Sequence, residues 1–475
     1  MRRTKMLCTI GPASRETEVL RQLIRSGMDV ARLNFSHGDA ETHRENVERI
    51  RSAAEAEQRP VAIQVDLQGP KFRVDRVVES GILVTDGDVI TLTTEDLLGR
   101  TAEAVPVQNK RFPNLVDPGD RILIDDGMIE LKVLSTGEQE IHCRVMVGGT
   151  IKSNKGMNLP GVSVDLPSLT EKDRQDLVRA LEWEVDWIAL SFVRTAEDVH
   201  ALKRLIRECT DRPVPVMAKI EKPEALDRID EIVDAADAVM VARGDLGIEI
   251  PTEKVPMAQK QIIQRCNEAG VPVVTATQML DSMIRNPRPT RAEASDVANA
   301  LLDGTDAVML SGETSIGRFP VQALQTMVRI ACEVEGEQTD IPVRPYQPLE
   351  ENINLSIARA VARAARETAQ NLDLAAIIAI TASGYTARIV SRYRPRAPIL
   401  AITPDERVQR QLQVYWGVTP LLAPRTENTD EMTSNALQAV QQQGLVKEDD
   451  LVAITAGTAG SEPGTTNLLR IHVIR

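Results

Sequence analysis

Aromatic side chains are scarce in this chain: phenylalanine, tyrosine and tryptophan together make up only 3% of its residues. The core must therefore be aliphatic, and aromatic platforms for stacking nucleobases are not expected. Long apolar runs are missing too. No segment approaches the ~18 apolar residues of a membrane span. The stretch Leu7–Pro12, after a basic Met1-Arg2-Arg3-Thr4-Lys5, is too short for a signal peptide. The five cysteines, Cys8, Cys143, Cys209, Cys266 and Cys332, lie far apart with no Cys-x-x-Cys pair. That spacing gives no disulfide framework and fits a reducing cytoplasm. Positive charge is in deficit, with 56 Lys and Arg against 69 Asp and Glu and a formal net charge of −13, so neither nucleic acid nor an anionic membrane is an expected partner. Neither a Gly-x4-Gly-Lys-Ser/Thr loop nor a Gly-x-Gly-x-x-Gly turn follows a strand, so a nucleotide would have to be held by other means.

What is there is ample apolar material, 42% of 475 residues, enough for two to four domains because single cores stop growing near ~250–300 residues. Short β-branched runs alternate with amphipathic stretches, which is how buried parallel strands and their crossover helices read. Eight strands are predicted, at 4–10, 30–35, 61–66, 187–192, 214–219, 238–243, 271–276 and 306–311. Helical patterns fall at 16–26, 41–57, 196–208, 223–235, 253–268 and 320–334, and Thr170-Glu171-Lys172-Asp173 offers a capping box for another. The fold class expected is α/β: a (β/α)8 barrel formed by residues 1–68 and 168–340. Between about 69 and 167 the pattern changes to period-2 alternation punctuated by Gly and Asp, which predicts an inserted β-barrel lid on the rim of the main barrel. After a proline-rich linker, Ile341-Pro-Val-Arg-Pro-Tyr-Gln-Pro, a helix at 352–370 leads into strands at 374–380, 398–402, 418–422, 451–455 and 469–474. Residues 341–475 are thus read as a C-terminal α/β domain.

In such barrels the chemistry sits at the C-terminal ends of the strands. There the chain carries Arg32-Leu-Asn34-Phe35-Ser36-His37, Asp66, Lys219-Ile-Glu221, Arg243-Gly244-Asp245, Thr275-Ala-Thr277-Gln278 and Ser311-Gly-Glu313. Because side chains alternate across a strand, Lys219 shares a face with Glu221, Arg243 with Asp245, and Arg32 with Asn34 and Ser36. Two carboxylates from adjacent strands suit a hard divalent cation such as Mg2+, which takes one or two protein carboxylates and leaves its other positions to phosphate and water. A metal, an ammonium and a guanidinium at one spot favour substrates that develop negative charge on oxygen, as in phosphoryl transfer and enolate chemistry. Any one strand-end charge is most often a rim salt bridge. A set drawn from six strands, of the types one reaction needs, is better read as a site.

At these residues the chain resembles the pyruvate kinase family. The segments TKMLCTIGPAS at 4–14, ARLNFSHG at 31–38, MAKIEKPEA at 217–225, MVARGDLGIEIP at 240–251, the long run at 275–314 and SRYRPRAPILAIT at 391–403 carry the resemblance, in the family's order. It implies transfer of the phosphoryl group of phosphoenolpyruvate to ADP, giving ATP and an enolate that is protonated to pyruvate. On that resemblance Glu221 and Asp245 hold Mg2+ or Mn2+, and Lys219 stabilises charge on the phosphoryl group and the enolate. Arg32, the Gly244 backbone, Asp245 and Thr277 meet the substrate, with Thr277 on the route of the proton. Asn34, Phe35, Ser36, His37, Arg73 and Lys155 meet the nucleotide, and a homotetramer is implied.

Members that need potassium hold it with residues matching Asn34, Ser36, Asp66 and the next position, usually threonine, and carry glutamate where this chain has Lys71. Here Leu67 removes the hydroxyl and Lys71 brings an ammonium to the same carboxylate, so the run resembles the potassium-independent branch, and K+ is not expected to be required. In the last domain Thr381-Ala-Ser383-Gly384-Tyr-Thr386 follows a strand and opens a helix, so its amides and hydroxyls are able to cradle a phosphate. It looks like the family's effector loop. The loop Gly457–Gly464 lacks an arginine for a second phosphate, which points to a monophosphate, a sugar phosphate or AMP, as allosteric activator. Two rival readings remain: a Schiff-base aldolase using Lys219, and a sugar-phosphate sensor without turnover.

Overall fold

The strands predicted from β-branched runs form, and they close on themselves. A computed structural model of the protein describes residues 2–162, 167–337, 353–426, 428–458 and 465–475. Among the described residues a closed barrel is built from Lys5–Thr9, Val30–Asn34, Ala62–Asp66, Trp187–Leu190, Val216–Ile220, Ala238–Ala242, Val273–Ala276 and Ala307–Leu310, each beside its neighbour in sequence. The eighth strand pairs in parallel with the first, Lys5 opposite Ala307, which completes the ring. Parallel neighbours need a crossover, and helices such as Thr17–Ser26, Ala40–Ala56 and Glu171–Glu182 provide it on the outside. Thr170, Thr195 and Thr290 each open a helix with a reciprocal capping box.

Alternation along each strand divides the core into two layers. Met6 and Cys8 turn outward to pack under the helices, whereas Leu7 joins Val30, Met217, Met240, Val274 and Met309 inside the ring. This explains how a chain with so few aromatics fills a barrel: thin, flexible methionines and small alanines fit the narrow interior. The helix expected at 223–235 is two, Pro223–Asp227 and Ile229–Ala235. Arg228 leaves helical geometry (φ −117°, ψ 22°), and the chain restarts so that both Ala225 and Ile229 are buried.

Between the third strand and Glu171 the chain forms the β-rich insertion. Its seven-stranded sheet runs in the order Phe72–Arg73, Gly156–Asn158, Arg121–Ile124, Ile129–Thr136, Glu140–Val147, Val89–Thr93, Val105–Pro106. The two edges meet, because Val74 bridges Val107 and Gln108 N–H donates to Arg73 O at 3.0 Å, so the sheet curls into a small barrel with its own core around Phe72, Phe112 and Ile122. Curling removes exposed edges.

The last part of the chain is a five-stranded sheet in the order Val418–Leu422, Ile399–Thr403, Ala376–Ile380, Leu451–Ala456, Leu468–Val473, parallel except for the final strand. It docks at the N-terminal end of the main barrel. Lys5 Nζ donates to Val418 O at 2.6 Å, Trp187 Nε1 to Gln411 O at 3.2 Å, and Arg410 pairs with the buried Asp186 at 2.8 Å. The proline-rich linker 341–348 lies outside the described residues, as does most of the 457–464 loop. Among the described residues no helix is long and apolar enough to cross a membrane.

Candidate active site

The opposite end of the barrel, where the strands finish, opens into a cleft covered on one side by the curled sheet. It is lined by Arg32, Asn34, Ser36, His37, Lys71, Lys219, Glu221 and Asp245 from the barrel side, and by Arg73 and Lys155 from the inserted sheet. Residues far apart in sequence thus converge as the strand-end rule requires.

Its centre is a buried network of alternating charges. Arg32 donates from Nε and Nη2 to Asp66 Oδ2 at 2.8 and 2.5 Å, and from Nη1 to Thr9 Oγ1 at 3.0 Å. Lys219 Nζ lies 3.3 Å from Asp66 Oδ1, 2.6 Å from Glu221 Oε1 and 2.7 Å from Ser191 Oγ, to which it donates. The Ser191 hydroxyl donates in turn to Asp66 Oδ1 at 3.2 Å. Burial works against the Lys219 ammonium, but Asp66 and Glu221 outweigh it and hold its pKa above the ordinary value. Burial likewise works against the Asp66 carboxylate, and Lys219 and Arg32 overcome it to keep Asp66 ionised below the usual range. The Lys219 ammonium is met by Asp66, Glu221 and Ser191, so its nitrogen is engaged as a donor and is not presented as the nucleophile a Schiff-base aldolase needs.

Glu221 behaves differently. Burial pushes its carboxyl up, with the Lys219 ammonium pulling the other way and the Asp245 charge adding to the rise. Its Oε2 accepts from Phe192 N–H at 3.0 Å and its Oε1 meets the Lys219 ammonium at 2.6 Å, which leaves each oxygen a second lone pair. A buried carboxylate with a free lone pair beside a second carboxylate is what a divalent cation would satisfy. Among the described residues no cluster of three or more His, Cys, Asp or Glu is arranged to enclose a metal. Two carboxylates open to a cleft therefore fit Mg2+, which keeps water and phosphate ligands, and not an ion wrapped by protein.

Asp245 reaches the cleft by a route the alternation rule misses. The sixth strand stops at Ala242 and the helix Arg243–Glu249 begins at once, so the period changes from 2 to 3.6 and Arg243 and Asp245 part. Asp245 faces the cleft, while Arg243 turns away to pair with Asp296 at 2.7 Å within the same chain. Gly244 N–H donates to Thr277 Oγ1 at 2.7 Å, which joins these two expected substrate contacts beside the cleft. Thr277 has φ +70°, a conformation that costs a β-branched residue about 1–3 kcal/mol and that clusters at functional sites.

Three expected residues stand differently. Phe35 and Leu67, each one residue past the end of its strand, are buried in the layer between barrel and helices; Phe35 stacks on His43 at 4.2 Å, its N–H donates to Asp66 O at 3.0 Å and its carbonyl accepts from Lys172 at 2.9 Å, while Leu67 N–H donates to Ala189 O at 3.1 Å. Lys71, expected beside Asp66, has Nζ 3.9 Å from Asp245 Oδ1 instead, and Asp66 is met by Arg32, Lys219 and Ser191. Residues not anticipated also line the cleft: Ser191, Phe192 and Gln68 on the barrel, Asp125, Asp126 and Asn154 on the insertion. Ser191 directly follows the fourth strand, so the strand-end rule was able to find it.

A second cleft lies in the C-terminal domain. Thr381, Ser383, Thr386, Thr403, Arg425 and Thr458 line it, and Gly384 caps the helix Tyr385–Arg392 with φ +83°. Arg425, an exposed guanidinium from the loop after Val418–Leu422, was not anticipated. The Thr386 hydroxyl is tied to Thr466 Oγ1 at 2.9 Å.

Comparison with known proteins agrees with this geometry. The family description "Pyruvate kinase, barrel domain" matches residues 1–324 and "Pyruvate kinase, alpha/beta domain" matches 359–472. The chain is 48% identical to the pyruvate kinase of Geobacillus stearothermophilus, over all of this chain and 80% of that protein. It is 46% identical to pyruvate kinase 2 of Synechocystis, again over all of this chain and 80% of the relative. The crystal structure of a pyruvate kinase from Cryptosporidium parvum superposes with a TM-score of 0.89 at 39% identity, covering 100% of this chain and 96% of that one. With a barrel, a curled inserted sheet and an α/β domain in one chain, and relatives matched along its whole length, the chain belongs to the pyruvate kinase family.

Proposed function

We propose that this phosphotransferase moves the phosphoryl group of phosphoenolpyruvate to ADP, giving pyruvate and ATP, with the following division of labour. The observation that carries it is the Lys219 ammonium, 2.6 Å from Glu221 and 3.3 Å from Asp66 in the cleft that also contains Asp245. Glu221 and Asp245 would hold Mg2+, which the family generally uses, or Mn2+; when bound, the cation supplies charge stabilisation to phosphoryl and enolate oxygens. Lys219, fixed as a cation in low dielectric, stabilises negative charge as it moves from one oxygen to another, without reorganising. Arg32 orients the phosphate. Arg73 and Lys155 approach from the inserted sheet, together with Asn34, Ser36 and His37, to bind the diphosphate of ADP. Closure of that sheet excludes water that would otherwise take the phosphoryl group. Thr277, beside the Gly244 amide, passes a proton to the enolate. Pyruvate formation from phosphoenolpyruvate and ADP, followed with Mg2+ and then with EDTA, tests the reading; turnover that survives EDTA would refute it.

Lys71 is proposed to stand in for potassium. Its ammonium lies in the cleft and faces Asp245 at 3.9 Å, so a monovalent positive charge is resident there, with Leu67 following Asp66 where a hydroxyl would help to hold K+. Turnover in potassium-free buffer should match turnover with KCl; a strong KCl requirement would end this proposal.

Regulation is assigned to the second cleft, where Thr381, Ser383, Thr386 and the Gly384 turn at a helix N-terminus would take a phosphorylated metabolite. Arg425 offers a charge for it. Assays across sugar monophosphates, AMP and fructose bisphosphate identify the activator. We further read residues 1–68 and 168–340 as the catalytic unit, 69–167 as the lid and 341–475 as the regulatory unit, in a cytoplasmic homotetramer; limited proteolysis and sedimentation test these assignments.

A further inference from the structure

The backbone at Thr277 adopts a conformation that its own side chain opposes, with φ +70° followed by Gln278 at +54°. A β-branched residue stays there only where its surroundings over-determine it. Here much of that constraint comes from one side chain. Arg243 Nη2 donates to Thr277 O at 2.8 Å and Nε donates to Ala276 O at 3.3 Å, while Nη2 also meets the Met279 sulfur. On its far side Nη1 is braced by Asp296 Oδ1 at 2.7 Å and Gln259 Oε1 at 3.3 Å. These two acceptors sit on separate helices, Arg291–Asp303 and Val255–Ala269. The guanidinium is a strut between the outer helices and the end of the seventh strand, and it does not line the cleft.

Two consequences reach the Thr277 hydroxyl. It accepts from Gly244 N–H, the residue after Arg243, so Arg243 fixes both partners of that contact, one through the chain and one through its side chain. The hydroxyl also donates to Ala276 O at 2.6 Å, the same carbonyl that Arg243 Nε approaches. The two lone pairs of that carbonyl admit both donors, so Arg243 helps to fix where the carbonyl, and with it the hydroxyl, stands. A planar fork suits this role, since a lysine would keep the charge beside Asp296 but lose the paired donation to two successive carbonyls.

We infer that Arg243 is a positioning residue for the protonation half of the reaction, acting through Thr277. The inference rests on the proposed role of Thr277. In the step concerned, the enolate oxygen becomes the carbonyl and the carbon–carbon double-bond pair forms a new C–H bond at the methylene carbon. The Thr277 hydroxyl gives that proton as it takes another from water, and the hydroxide so formed is neutralised by bulk solvent, so no net charge remains on the side chain.

The reverse of this step exchanges pyruvate methyl protons with solvent, and 1H NMR in D2O with ATP and Mg2+ reads it directly. Single-turnover ATP formation from phosphoenolpyruvate and ADP reads phosphoryl transfer separately. Arg243→Met should slow methyl exchange about 100-fold while ATP formation and the KM for phosphoenolpyruvate stay within about threefold. Arg243→Lys, which retains the ion pair and serves if the methionine variant does not fold, should lose exchange comparably. Added to Thr277→Ala, Arg243→Met should have no further effect on exchange. Equal losses in both half-reactions, or an undiminished loss in the Thr277→Ala background, would overturn the inference by making Arg243 merely structural. Exchange unaffected by Thr277→Ala overturns the Thr277 role first. Exchange slowed by Thr277→Ala but not by either Arg243 variant overturns the Arg243 role alone.

Discussion

The two clefts belong to different domains, one to the C-terminal rim of the barrel and one to the C-terminal α/β sheet, and are built from different materials. At the C-terminal rim, Arg32, Asp66, Lys219 and Glu221 are all buried and answer one another through direct contacts before any ligand arrives. In the C-terminal domain the polar lining is mainly hydroxyls, with the exposed Arg425 as its charge. A buried lattice of charges is costly to assemble but needs no reorganisation when substrate charge develops, which is what a chemical step requires. A hydroxyl-lined turn costs little and gains order from its ligand, which suits a sensor.

The largest expected effect comes from breaking the rim lattice. Lys219→Met should lower kcat by about 10²–10³-fold, the usual loss for one preorganised electrostatic group. It also leaves Asp66 and Glu221 buried with less compensation, so a lower melting temperature in metal-free buffer, recovered in part by Mg2+, should accompany it. Unchanged turnover would place the chemistry elsewhere and revive the sensor reading.

Next in size is the joint between the two domains. Asp186 is buried, with Oδ1 accepting from Arg410 and Oδ2 from Arg51, each at 2.8 Å, and Oδ2 also from Ile63 N–H at 2.8 Å. Asp186→Asn removes the charge between two guanidinium groups and should cost about 3 kcal/mol in denaturant unfolding. If the clefts communicate through this floor, activation by a metabolite should weaken more than basal turnover does.

Much of this architecture could be read in advance. Buried parallel strands are nearly continuous apolar runs, so all eight were found, and the strand-end rule collected Lys219, Glu221 and Asp245 from neighbouring strands. What failed was local period and tertiary approach. Arg243 and Asp245 looked like one face because nothing in ARGDLG marks the residue at which extended backbone becomes helix. Asp125, Asp126 and Asn154 reach the cleft because the inserted sheet folds back over the rim, a docking that no spacing within the insertion records. Arg425 likewise joins Thr381 only because their strands flank Ile399–Thr403 in one sheet.

In the second cleft, Ser383→Ala should raise the activator concentration for half-maximal effect about tenfold, the loss of one hydrogen bond to a charged group, and leave kcat at saturation unchanged. A fall in kcat instead would show the two clefts to be less separate than their construction implies.

The smallest effect distinguishes the clefts by their response to protons. Burial pushes the His37 imidazole below its ordinary pKa, and the nearby Arg73, Lys71 and Arg32 push it further down. The imidazole is therefore neutral at neutral pH. A bound diphosphate would offset those three cations and raise the His37 pKa. By linkage, a ligand that raises a pKa binds the protonated form more tightly, so ADP affinity should increase as pH falls through the interval between the two values. A rise of one unit corresponds to about tenfold in affinity. Calorimetric titration of ADP at a series of pH values should show this increase in the wild type and a smaller one in His37→Gln, where only the protonation of ADP itself remains. The described lining of the second cleft contains no histidine, so an uncharged sugar attached to a phosphate should show there only the pH dependence of its own phosphate. If the His37 resonances keep the same midpoint with and without ADP, the diphosphate does not lie against this loop, and the assignment of Asn34 to His37 to the nucleotide falls with it.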